Sequence, residues 1–380
     1  MELKIVDFIK THSNWEELLT SSPYNLTIKR DGKLILFKYN QINSDFNEEI
    51  CCEARGLILE EGTWKVVRMA FKKFFNLGES CAAKIDWDTA VATEKIDGSI
   101  ISVFYYDGKW RIATNSTIDA FKAELNGVGP YKTFGELFES VLPLSRFSEF
   151  SNILAHQCYT FELVSPYNKV VIDYPETKVY LLSIRDMNTL VEHPLDEVEE
   201  FAARFGFTVP ERYDLNNEAD YRKLVEDMPE GHEGIVVRDA NGERVKIKTL
   251  LYFQMHKAKN NGVITLERIV DLIRANDHYE FLSYFHEYQP IFDKVKHQLD
   301  RVEVVKEKVQ QDVAKWKRDN ADVYEQDARM ARKWFAQDLG KSKYGALYFA
   351  EYDGHFDEFV AGRTTSQFIS LFKIELPKED

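Results

Sequence analysis

Thr93-Glu94-Lys95-Ile96-Asp97-Gly98-Ser99 is a lysine followed, after one residue, by Asp-Gly, and a β-rich run lies behind it. Two readings suit the stretch by itself: an ordinary turn between strands, or a lysine held as a nucleophile. A nucleophilic lysine must be unprotonated, fixed in place and close to groups that neutralise its electrophile, because a free lysine is almost wholly ammonium near neutral pH. The short motif carries little specificity, so the surrounding chain decides between them.

Working outward, residues 26–115 read as hairpins. Leu26-Thr27-Ile28-Lys29 and Leu34-Ile35-Leu36-Phe37 flank Arg30-Asp31-Gly32-Lys33, and Val103-Phe104-Tyr105-Tyr106 and Trp110-Arg111-Ile112 flank Asp107-Gly108-Lys109. Arg55–Glu60 is a buried strand candidate. Helices are predicted around 131–142 and over 196–205, the second closed by Gly206. Apolar strands follow at 160–164, 179–184, 234–237 and 245–248. The fold class is therefore α+β with mainly antiparallel sheets over residues 1–255, followed by an all-helical domain over 256–380. In the second part Phe292, Val295, Leu299, Val302, Val309, Val313 and Trp316 recur at helical spacing, which predicts one long amphipathic helix from Pro290 to about Arg318.

Composition sets outer bounds. The chain has 380 residues, 44% hydrophobic and 13% aromatic, enough for a real core in two domains. No stretch is long and apolar enough for a membrane span, and acidic residues interrupt the N-terminal segment where a signal peptide is apolar, so a cytoplasmic, membrane-free protein is expected. Cys51, Cys52, Cys81 and Cys158 form no zinc-type spacing and are expected to be reduced. A net charge of −14 argues for caution about a polyanionic partner, although residues 256–380 are nearly balanced, with 20 basic against 22 acidic.

Several strands carry charge where a core strand is usually apolar. Glu162 sits inside an apolar run, and Glu233 directly precedes Gly-Ile-Val-Val. Lys246 and Lys248 share one face of a period-2 strand. Two adjacent cations repel, so either that face is solvated or an anion lies between them.

In order, Lys95-x-Asp97-Gly98, Phe161-Glu162-Leu163-Val164, Glu233-Gly234-Ile235-Val236-Val237 and Val245-Lys246-Ile247-Lys248 resemble the motifs of the covalent nucleotidyltransferases, which comprise DNA ligases, RNA ligases and capping enzymes. Arg55-Gly56 followed by Lys72-Lys73-Phe74-Phe75-Asn76 is similar to the RNA ligase branch. Tyr39-Asn40, with Phe161 through Val171, resembles the bacteriophage tRNA-repair RNA ligases of type 1. The resemblance covers about residues 30–255. It implies an ATP-dependent RNA ligase in a nucleotidyltransferase (adenylation) domain, joining 5′-phosphate and 3′-hydroxyl ends through lysyl-AMP on Lys95 and an adenylated RNA end.

By the same resemblance Lys246 and Lys248 lie against the α-phosphate. Glu162, Glu233 and Asp97 hold Mg²⁺ or Mn²⁺ mainly through water, with Asp277 a further metal-linked acid, and Gly98 belongs to the nucleotide site. Arg55 and Lys73 contact ribose and phosphates, Tyr39 lies at the nucleotide, and the Glu94 backbone reads the adenine edge. Tyr180 is either a base-stacking ring or a core tyrosine. The expected partner is single-stranded RNA or a broken tRNA end, the expected state a monomer, and the expected setting a host cytoplasm if viral. Relatives place a lysine after the nucleophile's hairpin, where Ala113-Thr114-Asn115-Ser116-Thr117 offers only neutral donors. A helical C-terminal module selects tRNA in the phage enzymes. Here Lys306, Lys308, Lys315, Lys317, Arg318, Arg329, Arg332 and Lys333 form either a phosphate-contacting stripe or a solvated face with interleaved acids. The alternatives are DNA-nick sealing, GTP-dependent capping, or a silent RNA-binding relative. Intact Lys95, Glu162, Glu233, Lys246 and Lys248 count against the last.

Overall fold

The computed structural model describes residues 3–41, 43–125, 129–148, 152–168, 170–229, 231–249, 264–275, 278–284 and 288–376, and among these it has thirteen short strands and a set of helices. Asp277 lies outside the described residues. Two compact units result, Met1–Lys259 and Asn260–Asp380.

In chain order the strands of the first unit are β1 (Thr27–Asp31), β2 (Leu34–Lys38), β3 (Arg55–Glu60), β4 (Val66–Arg68), β5 (Phe75–Asn76), β6 (Val91–Glu94), β7 (Ser99–Tyr106), β8 (Lys109–Thr114), β9 (Gln157–Val164), β10 (Lys178–Asp186), β11 (Arg212–Tyr213), β12 (Gly234–Arg238) and β13 (Arg244–Lys248). They form three sheets: β1-β2-β3-β4, β10-β9-β7-β8, and β11-β6-β12-β13-β5. Pairing is antiparallel except between β13 and β5, where Val245 meets Phe75 and Lys246 meets Asn76. That parallel pair draws the Lys73 segment to the edge of the strand bearing Lys246.

Each sheet buries its own apolar face. Leu34–Phe37 and Leu57–Leu59 pack with the helix Lys4–Thr11. Val103, Tyr159, Phe161 and Leu181 pack against Phe138, Phe147 and Val198, and Ala92, Ile235, Val237, Val245 and Ile247 against Tyr221 and Val225. The helix expected over 131–142 is shorter, Phe134–Glu139. Thr133 caps it by accepting the Glu136 N–H, and the residue before is already held by Leu125 N–H donating to the Lys132 carbonyl. The helix Leu195–Phe205 ends on Gly206 in the left-handed region at φ 70°.

The described part of the second unit is helical, and its longest helix runs Gln289–Asp319 with the seven apolar residues of its stripe buried. Of the basic residues there, Lys306 pairs with Glu303 at 3.0 Å, Lys308 with Asp312 at 2.9 Å and Arg332 with Asp353, while Lys317 donates to the Tyr352 carbonyl at 3.1 Å. These local partners favour a solvated face for that part of the stripe. Among the described residues no helix is long and apolar enough to cross a membrane.

Candidate active site

Lys95–Gly98 is the crossing from β6, in the five-stranded sheet, to β7, in the neighbouring four-stranded one. The pairings on either side of it assemble the site. Antiparallel register sets Ile100 of β7 opposite Glu162 of β9. It also sets Glu94 of β6 opposite Ile235 of β12, so Glu233 arrives beside Lys95, whose N–H donates to the Gly234 carbonyl at 2.8 Å.

Two glycines make this closeness possible. A Cβ on Gly98 would stand 2.5 Å from the Leu163 carbonyl oxygen. On Gly234, at φ +143°, it would stand 2.0 Å from that of Ile247. Both contacts are with backbone, which has little room to give way.

At the centre is a chain of charges. Lys95 Nζ donates to Glu233 Oε2 at 2.7 Å, and Lys248 Nζ lies 3.2 Å from Glu233 Oε1. The Lys95 side chain is 22% exposed, Glu233 4% and Lys248 3%. The lysine face of β13 is thus not a solvated one at Lys248; an anion, Glu233, lies against it. The one ammonium of this trio that solvent reaches is the one in the Asp-Gly turn.

Glu162 is buried beside them, and its carboxyl is pushed up to about 8. Burial is the main cause, opposed by Lys95 and Arg55 and reinforced by Glu233 and Asp97. Asp97 is also raised, by burial first and then by Glu233. Its Oδ2 accepts the N–H groups of Val171 at 2.8 Å and Ile172 at 2.7 Å, so this aspartate anchors a loop as well as facing the other two carboxylates.

A second group of cations gathers around Tyr39. Lys73 Nζ lies 5.1 Å from the centre of the Tyr39 ring and 4.7 Å from that of Phe46, and the Arg55 guanidinium is 4.7 Å from Phe71. Burial would raise the Tyr39 phenol, yet Lys73, Arg55 and Lys246 outweigh it and hold it below its ordinary value. Arg55 Nη1 is buried with no hydrogen-bond partner. An orphaned donor among converging cations suits a phosphate-bearing ligand.

Glu94 donates its N–H to the Glu211 carbonyl at 2.7 Å, and its carboxylate meets His232 Nδ1 at 2.8 Å. Tyr180 stands directly across from Glu162 on β10, half-buried rather than a core tyrosine.

Sequence reasoning missed the clasp on the Lys95–Gly98 turn. Tyr174 Oη accepts the Asp97 N–H at 3.2 Å, and Asn168 Nδ2 donates to Ser99 Oγ at 2.8 Å. The available signal was Val170-Val171-Ile172, an apolar run too short for a strand, of which Val171 and Ile172 are buried.

The family model described as RNA ligase matches residues 53–262, more than half of the chain, and the chain belongs to that family. It is 26% identical over 271 residues to the putative bifunctional polynucleotide kinase/RNA ligase of Autographa californica nuclear polyhedrosis virus, covering 66% of this chain and 37% of that protein. It is 27% identical over 307 residues to the RNA ligase of Rhodothermus phage RM378, covering 65% of this chain and 69% of the relative. The match therefore spans little more than a third of the first relative and about two thirds of the second. Among solved structures, an archaeal ATP-dependent RNA ligase superposes with a TM-score of 0.48 at 14% identity over 67% of each chain.

Proposed function

We propose that this chain is an ATP-dependent RNA ligase whose residues 1–255 form the adenylation domain and whose Lys95 carries AMP. The observation behind the reading is the trio Lys95, Glu233 and Lys248. It presents one partly exposed amine from a turn fixed between two sheets, with a buried carboxylate and a buried ammonium beside it.

In this reading Lys95 Nζ attacks the α-phosphorus of ATP, the nitrogen–phosphorus bond forms, and the bond to pyrophosphate breaks. Glu233, 2.7 Å away, is placed to hold the proton that Nζ must give up. Lys248 and Lys246 stabilise charge developing on the phosphate oxygens. Arg55 and Lys73 bind the remaining phosphates or the ribose, with Arg55 Nη1 finding the acceptor it lacks. Tyr180 and the Glu94 carbonyl border the base. AMP then passes to the 5′-phosphate of an RNA end, and a 3′-hydroxyl displaces it.

Glu162, Glu233 and Asp97 form an oxygen donor set suited to Mg²⁺ or Mn²⁺. Among the described residues no group of three acidic, histidine or cysteine side chains is arranged to hold a metal ion directly, and the proposed contacts run mainly through the cation's waters. When bound, it supplies positive charge to the phosphate oxygens. A single-stranded RNA or a broken tRNA end is the proposed substrate.

The test is incubation with Mg²⁺ and ATP or GTP labelled at the α-phosphate. Covalent label from ATP is expected, lost in Lys95→Ala. No adduct with ATP, or an undiminished one in the variant, would sink the mechanism. Linear RNA, broken tRNA stem-loops and nicked DNA then serve as acceptors, with RNA joined and the DNA nick sealed poorly.

A further inference from the structure

The segment after β8, Thr114-Asn115-Ser116-Thr117, has hydroxyls and an amide but no charge of its own, and two cations from other strands converge on it. Lys38, the last residue of β2, donates from Nζ to Ser116 Oγ at 2.7 Å. From beneath, Arg68 Nη2 donates to Asn115 Oδ1 at 2.8 Å and to Ser102 Oγ at 2.7 Å. Arg68 is wholly buried, and its Nη1 also binds the carbonyls of Arg55 and Gly56.

These contacts fix the segment relative to Arg55. At Gly56 the two backbones come so close that a Cβ would stand 2.7 Å from Asn115 Cα. Lys38 is paired with Arg55 in the β2–β3 register, immediately beyond a bulge. Like charges directly opposite on one sheet face destabilise a strand pair unless an anion screens them. The Ser116 hydroxyl accepts from Lys38 and keeps its own proton to donate. Arg55 Nη1, buried on the same strand pair, has no hydrogen-bond partner. An ammonium and an orphaned guanidinium N–H on the β2–β3 pair, with a hydroxyl donor from the segment after β8, make the donor set of a phosphate oxyanion.

We propose that Lys38, with Ser116 and Arg55, forms a second phosphate subsite in the adenylation domain, separate from the Lys95–Glu233–Lys248 trio. Its ligand is a phosphate oxyanion, from the nucleotide's own chain or from the 5′-phosphate of the RNA end. The subsite rests on the ligase reading above, and its test separates the two. Parent, Lys38→Ala, Lys38→Arg and Ser116→Ala proteins are compared in three reactions: self-adenylation with α-labelled ATP, transfer of AMP to a 5′-phosphorylated RNA, and sealing of pre-adenylated RNA, with melting temperatures recorded.

Lys38→Ala is expected to lose roughly ten- to hundredfold in one step, the range of a charge-assisted hydrogen bond, with Lys38→Arg recovering most of it. Loss in self-adenylation as a raised KM for ATP assigns the phosphate to the nucleotide. Normal self-adenylation with slowed AMP transfer assigns it to the RNA end. Rates within about twofold of the parent in all three steps overturn the subsite. So does an equal loss in every step with a lowered melting temperature and no rescue by arginine. If the parent protein takes no label at all, the ligase reading itself has failed.

Discussion

Raising the pH from about 5.5 to about 7.5 should weaken the metal-free, nucleotide-free fold through Glu162, because that carboxyl is buried and pushed up from 4.5 to about 8. The sign follows from which state holds the proton. Below the unfolded value both states are protonated and the contribution is complete. Between the two values the unfolded chain has released its proton while the folded one keeps it, and the contribution is lost as the pH climbs through about 8. Over that window the proton kept by the folded chain lowers the unfolding free energy by roughly 2–3 kcal/mol in all. Asp97, raised by burial and by Glu233, acts in the same direction. Glu162→Gln has the shape of the protonated acid and nothing to release, so its stability should fall less steeply by that amount. Urea unfolding of both proteins in a chelator at three pH values measures the difference, and parallel lines would show that folded Glu162 does not retain its proton in this range. Millimolar Mg²⁺ supplies the second arm. A cation on these carboxylates favours their ionised forms and should flatten the parent's line. An unchanged slope would mean that the acids do not face the metal.

Two further outcomes follow from the packing. Gly98→Ala forces a Cβ against the Leu163 carbonyl, so it should cost about 1–3 kcal/mol in urea unfolding and displace the Lys95 turn enough to cut adduct formation; a variant with parental stability and label would contradict the close approach. Glu192 is buried among Arg185 at 2.7 Å, Arg238 at 3.4 Å and Arg244, and so ties β10 to β12 and β13. Glu192→Gln strands those guanidiniums and should cost about 3–5 kcal/mol by urea unfolding, whereas an unchanged midpoint would show that they find other acceptors.

Much of the first unit was legible because its strands are apolar runs bounded by turn residues, and because charges inside such runs stand out. Residues 160–164, 179–184, 234–237 and 245–248 all fall within strands, and the helical spacing from Phe292 to Trp316 marks the Gln289–Asp319 helix. Pairing order was not legible. That β9 lies between β10 and β7, or that two residues of β5 run parallel to β13, depends on long-range closure that no local pattern encodes. The lysine pair on β13 showed the same limit, since alternation puts Lys246 and Lys248 on one face but cannot tell solvent from an anion. Glu233 settles it for Lys248, from a turn 15 positions upstream. Lys38 was passed over for a related reason: its partner Ser116 is 78 residues away, and nothing local sets Lys38 apart from other lysines at strand ends.

The charge state of the centre bears on how its ligands must arrive. Near neutral pH a carboxyl raised to about 8 is mostly protonated, so Glu162 adds little charge. Lys95 and Lys248 then stand against Glu233 and Asp97, two cations with two acids, and with burial this deep any imbalance is strongly felt. A nucleotide entering such a site brings negative charge that Lys95 and Lys248, already facing Glu233, cannot fully offset. On the proposed reading Arg55, Lys73 and Lys246 would meet the surplus on one side, and a divalent cation near Glu233, Asp97 and the Glu162 carboxyl would meet it on the other. Nucleotide and metal would, on that reading, bind with positive coupling, and uptake of the pair would release the Glu162 proton. On the proposed ligase reading, this coupling would let the Lys95 amine rest against Glu233 in the free protein and still serve as a nucleophile: a phosphate would compete for Lys248 and a cation for Glu233, so both ligands would weaken the contact that holds the ammonium.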